Sequence, residues 1–305
     1  MSEACVLCRS ADFENLESGI LDYEYLSPGE YRWLKCKNCE LITIDPKPSS
    51  DILAKAYPVH YHAYVNPSSS ITKKLIQISR ANSAKQIRKL CSNLDKNSKP
   101  IIMDIGCSDG SLLAEIQMDN KYDLIGVEYN LDKANEASAK GIKVYQGDFE
   151  AVDIPNNSVD VIIMNHLLEH VYNPKDTLNK AYEVLKPGGT ILGQLPNIDS
   201  WDAALFGKYW GGGHAPRHIY HFTPITLDRC LKETGFSDIK IKPALHTGHW
   251  ALSFQNFFRR NLKTEIGLKN GRTWYYPLFL MATIPVNIFA MFFKKTGVMD
   301  FCATK

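Results

Sequence analysis

The sequence predicts an α/β fold: a mostly parallel sheet with helices on both faces, preceded by a small four-cysteine module. Three observations carry this. Short apolar or β-branched runs alternate with helical patterns between residues 71 and 245. The first such run, Ile101–Ile105, ends in the turn Gly106-Cys-Ser-Asp-Gly110 and leads straight into the helical pattern of Leu112, Leu113 and Ile116. Two Cys-x2-Cys pairs, Cys5/Cys8 and Cys36/Cys39, stand ahead of it.

Composition sets the outer limits. The chain has 305 residues, 45% hydrophobic and 22% charged, which excludes a disordered chain and allows one large domain plus a small one. A net charge of +2, with no basic excess in residues 1–70, gives no case for nucleic acid. The start Met-Ser-Glu-Ala-Cys has no signal pattern, so the eight cysteines read as reduced and cytoplasmic, with metal binding ahead of disulfides. The expected division is 1–70 for a zinc-binding module and linker, and 71–305 for the large domain.

In the first part, two residues between cysteines let both thiolates reach one ion. Two such knuckles, Cys5, Cys8, Cys36 and Cys39, make a tetrahedral four-thiolate set suited to structural zinc. The 27 residues between the pairs leave room for a hairpin, and Tyr23, Tyr25, Tyr31, Trp33 and Leu34 fit its strands. Leu41–Ile44 reads as a strand closed by Asp45-Pro-Lys-Pro. Tyr57, Tyr61 and Tyr64, with His60 and His62 between them, are an irregular segment that packs between the domains or walls a cleft. Pro67-Ser-Ser-Ser reads as the linker.

The larger part then runs in order. Ile71, Leu75, Ile76, Ile78, Ile87 and Leu90 predict a helix. Strands are expected at Ile101–Ile105, Tyr122–Glu128, Ile142–Gln146, Val159–Met164 and Thr190–Leu195. Helices are expected at Leu131–Lys140, Asn173–Leu185 and Pro224–Thr234, the second with Asn173 as cap and Pro174 in its first turn. Lys186-Pro-Gly-Gly reads as a sharp stop between helix and strand. Ligands of such a sheet bind at the carboxyl ends of its strands.

Polar residues recur at those ends: Asp104, then Glu128, then Asp148-Phe149, then Asn165-His166. Glu128 lies eighteen residues after Gly110, where an acid can take ribose hydroxyls. A nicotinamide site asks for Gly-x-Gly-x-x-Gly, and a P-loop for Gly-Lys-Ser/Thr; this turn has neither, and Asp104 suits neither. The set resembles the class I S-adenosylmethionine-dependent methyltransferases. Asp104–Gly110 looks like their first motif, with Ser108 at the middle glycine; Gly126-Val-Glu128 looks like the second and Gly147-Asp-Phe149 the third. Asn165–Val171 and Leu185-Lys-Pro-Gly-Gly189 match the motifs near strands four and five.

The resemblance implies a Rossmann-like sheet and S-adenosylmethionine as cofactor. It puts Asp104, Gly106 and Gly110 along the methionine moiety, Glu128 at the ribose, and Asp148 and Phe149 at the adenine. Cys107, Tyr129 and Asn165 join them as cofactor-side candidates. A cysteine module, an aromatic linker and the segment Pro216-Arg-His-Ile-Tyr-His-Phe222 are similar to a subgroup associated with sugar modification. That implies a sugar, nucleotide-sugar or lipid-linked glycan precursor as acceptor. Another small or lipid-like acceptor is the alternative, and a zinc-bearing interaction protein without catalysis is a further one.

Methyl transfer to a hydroxyl or carbon acid needs a proton acceptor, and histidine titrates in the right range. His166 and His170 form one candidate pair; His218 and His221 form the favoured one, because Gly211-Gly-Gly-His214 suggests a loop over the cleft. Arg217 is a candidate clamp for a substrate phosphate or carboxylate. Near the end, Tyr275–Phe293 is nineteen residues without charge, interrupted by Pro277 and Pro285. Ala251–Met299 carries seven basic residues against one acid, a charge of +6. Because Val298–Thr304 reads as a final strand, residues 246–296 are expected to be a helical insertion and not a membrane span. The stretch 270–295 is then either packed, in the core or against a second copy, or applied to the inner face of a membrane.

Overall fold

The computed structural model describes residues 4–58, 70–91, 99–117, 121–262 and 272–305. His60, His62, Tyr61, Tyr64 and the start of the expected linker lie outside the described residues. Eleven strands and ten α-helices are described, besides a 3-10 turn at Gly207–Tyr209: β1 (Phe13–Ile20), β2 (Tyr31–Cys36), β3 (Ile42–Asp45), α1 (Ser50–Ala56), α2 (Ser70–Cys91), β4 (Ile101–Ile105), α3 (Ser111–Ile116), β5 (Asp123–Glu128), α4 (Leu131–Ser138), β6 (Lys143–Gln146), β7 (Val159–Asn165), α5 (Pro174–Val184), β8 (Leu185–Pro196), α6 (Trp201–Phe206), β9 (Tyr220–His221), α7 (Pro224–Thr234), β10 (Ser237–Pro243), α8 (Gly248–Leu262), α9 (Tyr276–Ala282), α10 (Ile284–Phe292) and β11 (Val298–Thr304).

The large sheet has seven strands in the order β10-β11-β8-β7-β4-β5-β6. Strands β4 to β8 pair in parallel, and β11 enters antiparallel between β8 and β10. Its centre is strongly apolar. In β7, Val159, Val161, Ile162, Ile163 and Met164 are all buried, as a strand covered on both faces must be. Proline and polar caps start the helices where expected. Asn173 accepts from Asp176 N ahead of Pro174, and Thr223 and Thr226 form a capping box ahead of Pro224. The order reverses between β4 and β7, so the crevice at their carboxyl ends is where such a sheet takes a ligand.

Three expectations need correction. Lys186-Pro-Gly-Gly does not separate helix from strand; it is the first stretch of β8, which starts directly after α5. Ile76 and Ile78 are exposed, so only the later part of the α2 pattern (Ala84, Ile87, Cys91) packs on the sheet. Gly211–Gly213 is packed and not an open loop. A side chain at Gly211 would lie 2.3 Å from His249 O, and one at Gly213 would lie 2.9 Å from the Trp33 ring. These glycines permit close approach of backbone to neighbours.

The N-terminal region makes a second, antiparallel sheet, β1-β2-β3-β9. Its last strand, Tyr220–His221, comes from the large domain and pairs with Ile42 and Thr43. Arg217 reinforces this junction and is not available to a substrate. Buried to 1% exposure, its guanidinium donates to both Asp22 oxygens (2.9 and 3.1 Å) and to Ala56 O (3.1 Å). Glu24, also buried, pairs with Arg272 and His214 and lies 3.6 Å from Arg217. Burial alone would raise the Glu24 carboxyl, but His214, Arg272 and Arg217 together hold it well below the usual range.

The uncharged stretch near the end forms α9 and α10, with Pro277 and Pro285 each in a first turn and Thr283 between the helices. At 7 and 9 residues they span only about 10 and 14 Å. No helix among the described residues is long and apolar enough to cross a membrane.

Arg217→Leu should lower the unfolding free energy by about 3–5 kcal/mol in urea titration, because it strands the buried Asp22 charge. A loss under about 1 kcal/mol would show that the module is held by other contacts. Glu24 adds a pH dependence: its stabilisation is present at neutral pH and is lost as pH falls through its depressed folded value.

Candidate active site

The glycine turn leaves β4 and folds against β5. The N–H groups of Gly106 and Cys107 both donate to Val127 O, at 2.8 and 3.1 Å. Gly106 has φ +79°, and a Cβ there would meet only Leu167, at 3.6 Å. Bare backbone therefore faces open space, as close approach to a ligand requires. Gly110 has another duty: a Cβ there would lie 2.7 Å from both Ala137 and Ile142, so it permits helix packing.

Two acids border the turn. Glu128, ending β5, accepts from Ser108 N and Asn130 N, both at 2.8 Å. These donors fix its carboxylate and leave lone pairs for hydroxyl groups. Asp104 is buried in β4; burial first, and then the Glu128 charge, push its carboxyl up to about 8. An acidic turn of this kind repels phosphate and favours a cation such as a sulfonium or ammonium.

The other candidates take varied positions. Cys107 is buried, and burial followed by the Asp104 charge pushes its thiol up, so it stays protonated. Tyr129 is exposed beyond β5. Asp148 is exposed, whereas the Phe149 ring is buried in the core with Lys180 Nζ 5.2 Å over it. Asp148 is thus the side chain of that pair left at the surface. Asn165 is half-buried at the end of β7.

All seven histidines of the described residues form one chain of ring contacts. It runs from His166 to His246 (6.4 Å), His249 (4.9 Å), His214 (6.2 Å), His218 (4.7 Å) and His170 (4.6 Å), with His221 6.3 Å from His218. His221 is wedged beside Trp33 and Trp210, without a hydrogen-bond partner for either nitrogen among the described residues. Burial, then His214, push it down to about 3, so it stays neutral. His218 is buried, with Nδ1 2.8 Å from Gly212 O. His170 Nδ1 lies 3.0 Å from both Arg217 O and Tyr57 OH.

His166 differs: it is 39% exposed, and its Nδ1 is 3.3 Å from the buried Glu169 carboxylate. It lies in the turn after β7, at φ +51°. Glu169 lies in the Asn165–Val171 motif without a role legible there, and no local pattern marks His246 or His249. The last two lie in the insertion, and only folding brings them to the β7 edge.

The four cysteines meet as two like knuckles. Cys5 N donates to Ser10 O and Arg9 N to Cys5 O; Cys36 N donates to Leu41 O and Glu40 N to Cys36 O. Cys5 and Cys39 sulfurs are 3.4 Å apart, Cys8 and Cys36 sulfurs 3.5 Å, and all four lie within 4.8 Å of one another. Tetrahedral zinc–thiolate bonds of about 2.3 Å need sulfurs about 3.8 Å apart, so the set fits such an ion.

Asp104 generates a pH test. A cation bound beside it lowers its folded value of about 8, so binding near pH 7 should release a proton. Calorimetric affinity for S-adenosylmethionine should rise with pH up to about 8, and Asp104→Asn should flatten the slope. A flat profile in the unaltered protein would place Asp104 away from the ligand.

Comparison with known proteins identifies the family of the fold. A methyltransferase-domain family model matches residues 78–241, more than half of the chain. A probable S-adenosylmethionine-dependent methyltransferase of Mycolicibacterium smegmatis is 27% identical over 100 residues, covering 32% of this chain and 38% of that protein. A ubiquinone biosynthesis O-methyltransferase of Cereibacter sphaeroides is 26% identical over 167 residues, covering 50% and 67%. Counting the Mycolicibacterium smegmatis protein, the chain spans 33–57% of the length of three such curated relatives. The crystal structure of a SAM-dependent methyltransferase from Archaeoglobus fulgidus superposes with a TM-score of 0.50 at 19% identity, over 74% of this chain and 94% of that one, which shows the shared fold. The chain belongs to the class I S-adenosylmethionine-dependent methyltransferase family.

Proposed function

We propose that the protein transfers a methyl group from S-adenosylmethionine to a lipid-linked acceptor, a glycan precursor in the first instance, at a membrane surface. The acidic glycine turn supports the cofactor side of this reading. The cofactor supplies an electrophilic methyl on a sulfonium. Asp104 and Glu128 offset its positive charge, and the bare backbone at Gly106 lets it lie close. His166 accepts the acceptor's proton, and Glu169 orients its ring and steadies the imidazolium. This assigns the base to the exposed His166; His218 and His221 are buried. The four cysteines hold a structural zinc that fixes the N-terminal sheet.

The observation that carries the membrane reading is the outer face of α9 and α10. Trp274, Leu278, Met281, Phe289 and Phe293 are all exposed, and Phe292 is 79% exposed. The inner face packs through the buried Asn287 and Ala290, and Phe289 and Phe293 touch the Trp201 ring at one edge, at 5.6 and 5.3 Å. So large an apolar surface marks an interaction site. Electrostatic attraction contributes less than the +6 charge implies, because Arg272 is paired with Glu24, and Lys295 with Asp199. Among similar proteins, two are named as sterol 24-C-methyltransferases and one as a ubiquinone/menaquinone biosynthesis C-methyltransferase, so a lipid acceptor without sugar is the second reading.

Full-length protein should float with anionic vesicles, and Phe289→Asp with Phe292→Asp should abolish flotation without changing cofactor affinity. Flotation unaffected by these changes would remove α10 from the interface. His166→Ala should cut turnover about 10²–10⁴-fold at near-normal cofactor affinity. Label from S-adenosylmethionine should enter lipid-linked glycans in a panel that includes nucleotide sugars and quinones. Label in nucleotide sugars alone would refute the lipid-linked acceptor. Cys36→Ser should lose the bound zinc and melt the N-terminal sheet at lower temperature.

A further inference from the structure

Immediately after β7, the chain gathers a second set of metal-ligating groups. Ligand atoms of Glu169, His170 and His218 lie within 4.8 Å of one another. Glu169 is 1% exposed, and neither of its oxygens has a hydrogen-bond partner among the described residues; His166 Nδ1 lies 3.3 Å from Oε1. A buried carboxylate left so is costly without a cation.

The two imidazoles are prepared for one. A carbonyl oxygen can only accept, so the His170 Nδ1–H donates to Arg217 O at 3.0 Å, shared with Tyr57 OH at 3.0 Å, and the His218 Nδ1–H to Gly212 O at 2.8 Å. That tautomer leaves the Nε2 lone pair of each ring for coordination. Metal-bound histidines are oriented by this same second hydrogen bond. The backbone holds the groups in place, since Ile219 N and Tyr220 N both donate to Glu169 O, at 2.7 and 3.2 Å.

We propose that Glu169, His170 and His218 bind a divalent transition metal of the zinc class, at a site separate from the four cysteines. Two imidazoles and a carboxylate are a ligand set that zinc takes while keeping a position open. The ion sits at the carboxyl end of β7, on the side of the sheet where this fold binds its ligands. An acceptor hydroxyl at the open position would lose its proton more readily. That last step rests on the methyltransferase reading; the metal site does not.

The test is metal content, so it is independent of turnover. Full-length protein is saturated with zinc, freed of excess by gel filtration and analysed by mass spectrometry. Two zinc ions per chain are expected, falling to one in Glu169→Gln and in His218→Ala and, separately, to one in Cys36→Ser. Cobalt titration of the Cys36→Ser protein should show weak d–d absorption without thiolate charge transfer, with affinity falling at least about tenfold on adding His218→Ala. One zinc per chain in the unaltered protein overturns the proposal, as does a second equivalent that survives both Glu169→Gln and His218→Ala. X-ray absorption of the unaltered, zinc-saturated protein needs no variant. Nitrogen or oxygen neighbours beside sulfur are expected, and sulfur alone overturns the site.

Discussion

The buried pair between Arg217 and Asp22 is the contact on which the rest of the architecture depends. It joins residues 195 positions apart and ties the N-terminal sheet to the segment that supplies both β9 and His218. A guanidinium held by both oxygens of one carboxylate has a defined position and orientation. Burial makes the pair a poor source of net stability but a strong constraint, since neither charge can be left alone. Glu24, Arg272 and His214 extend the network into the insertion, so three distant parts of the chain share one set of charges.

This constraint explains the histidine cluster. His214, His218 and His221 lie on the same segment as Arg217, and fixing that segment against Glu169 fixes their rings against His170. Gly211–Gly213 serves the same end by letting Trp210, Trp33 and His249 close in. The cysteine module therefore acts on the site indirectly. It braces the segment that carries His214, His218 and His221, while the parallel sheet positions the glycine turn, Asp104 and Glu128.

The two halves of the cleft have opposite electrostatics. At the β4–β5 edge, burial and mutual repulsion keep Asp104 protonated near neutrality, poised for a cation. At the β7 edge, burial keeps His218 and His221 neutral, so their lone pairs are not lost to protons. The outer face of α9 and α10 is a third surface of different character, apolar and exposed, and it belongs to the same insertion that delivers His246 and His249 to the β7 edge.

The sequence alone determined the alternating sheet, the turn from Asp104 to Gly110, the acid at Glu128, the pairing of the four cysteines and the final strand. Each is written in local patterns: β-branched runs, glycine spacing, two-residue gaps between thiols. What Lys186–Gly189, Arg217 and the glycine run do was decided only by the tertiary structure. Composition gives Gly-Gly the look of a break, but β8 runs through it because β7 offers a partner. An arginine near histidines resembles an anion clamp until Asp22 arrives from the far end of the chain. Phe149 and His221 likewise look like ligand-facing groups, and packing encloses them. Burial and charge pairing arise between segments remote in sequence, so no local pattern carries them.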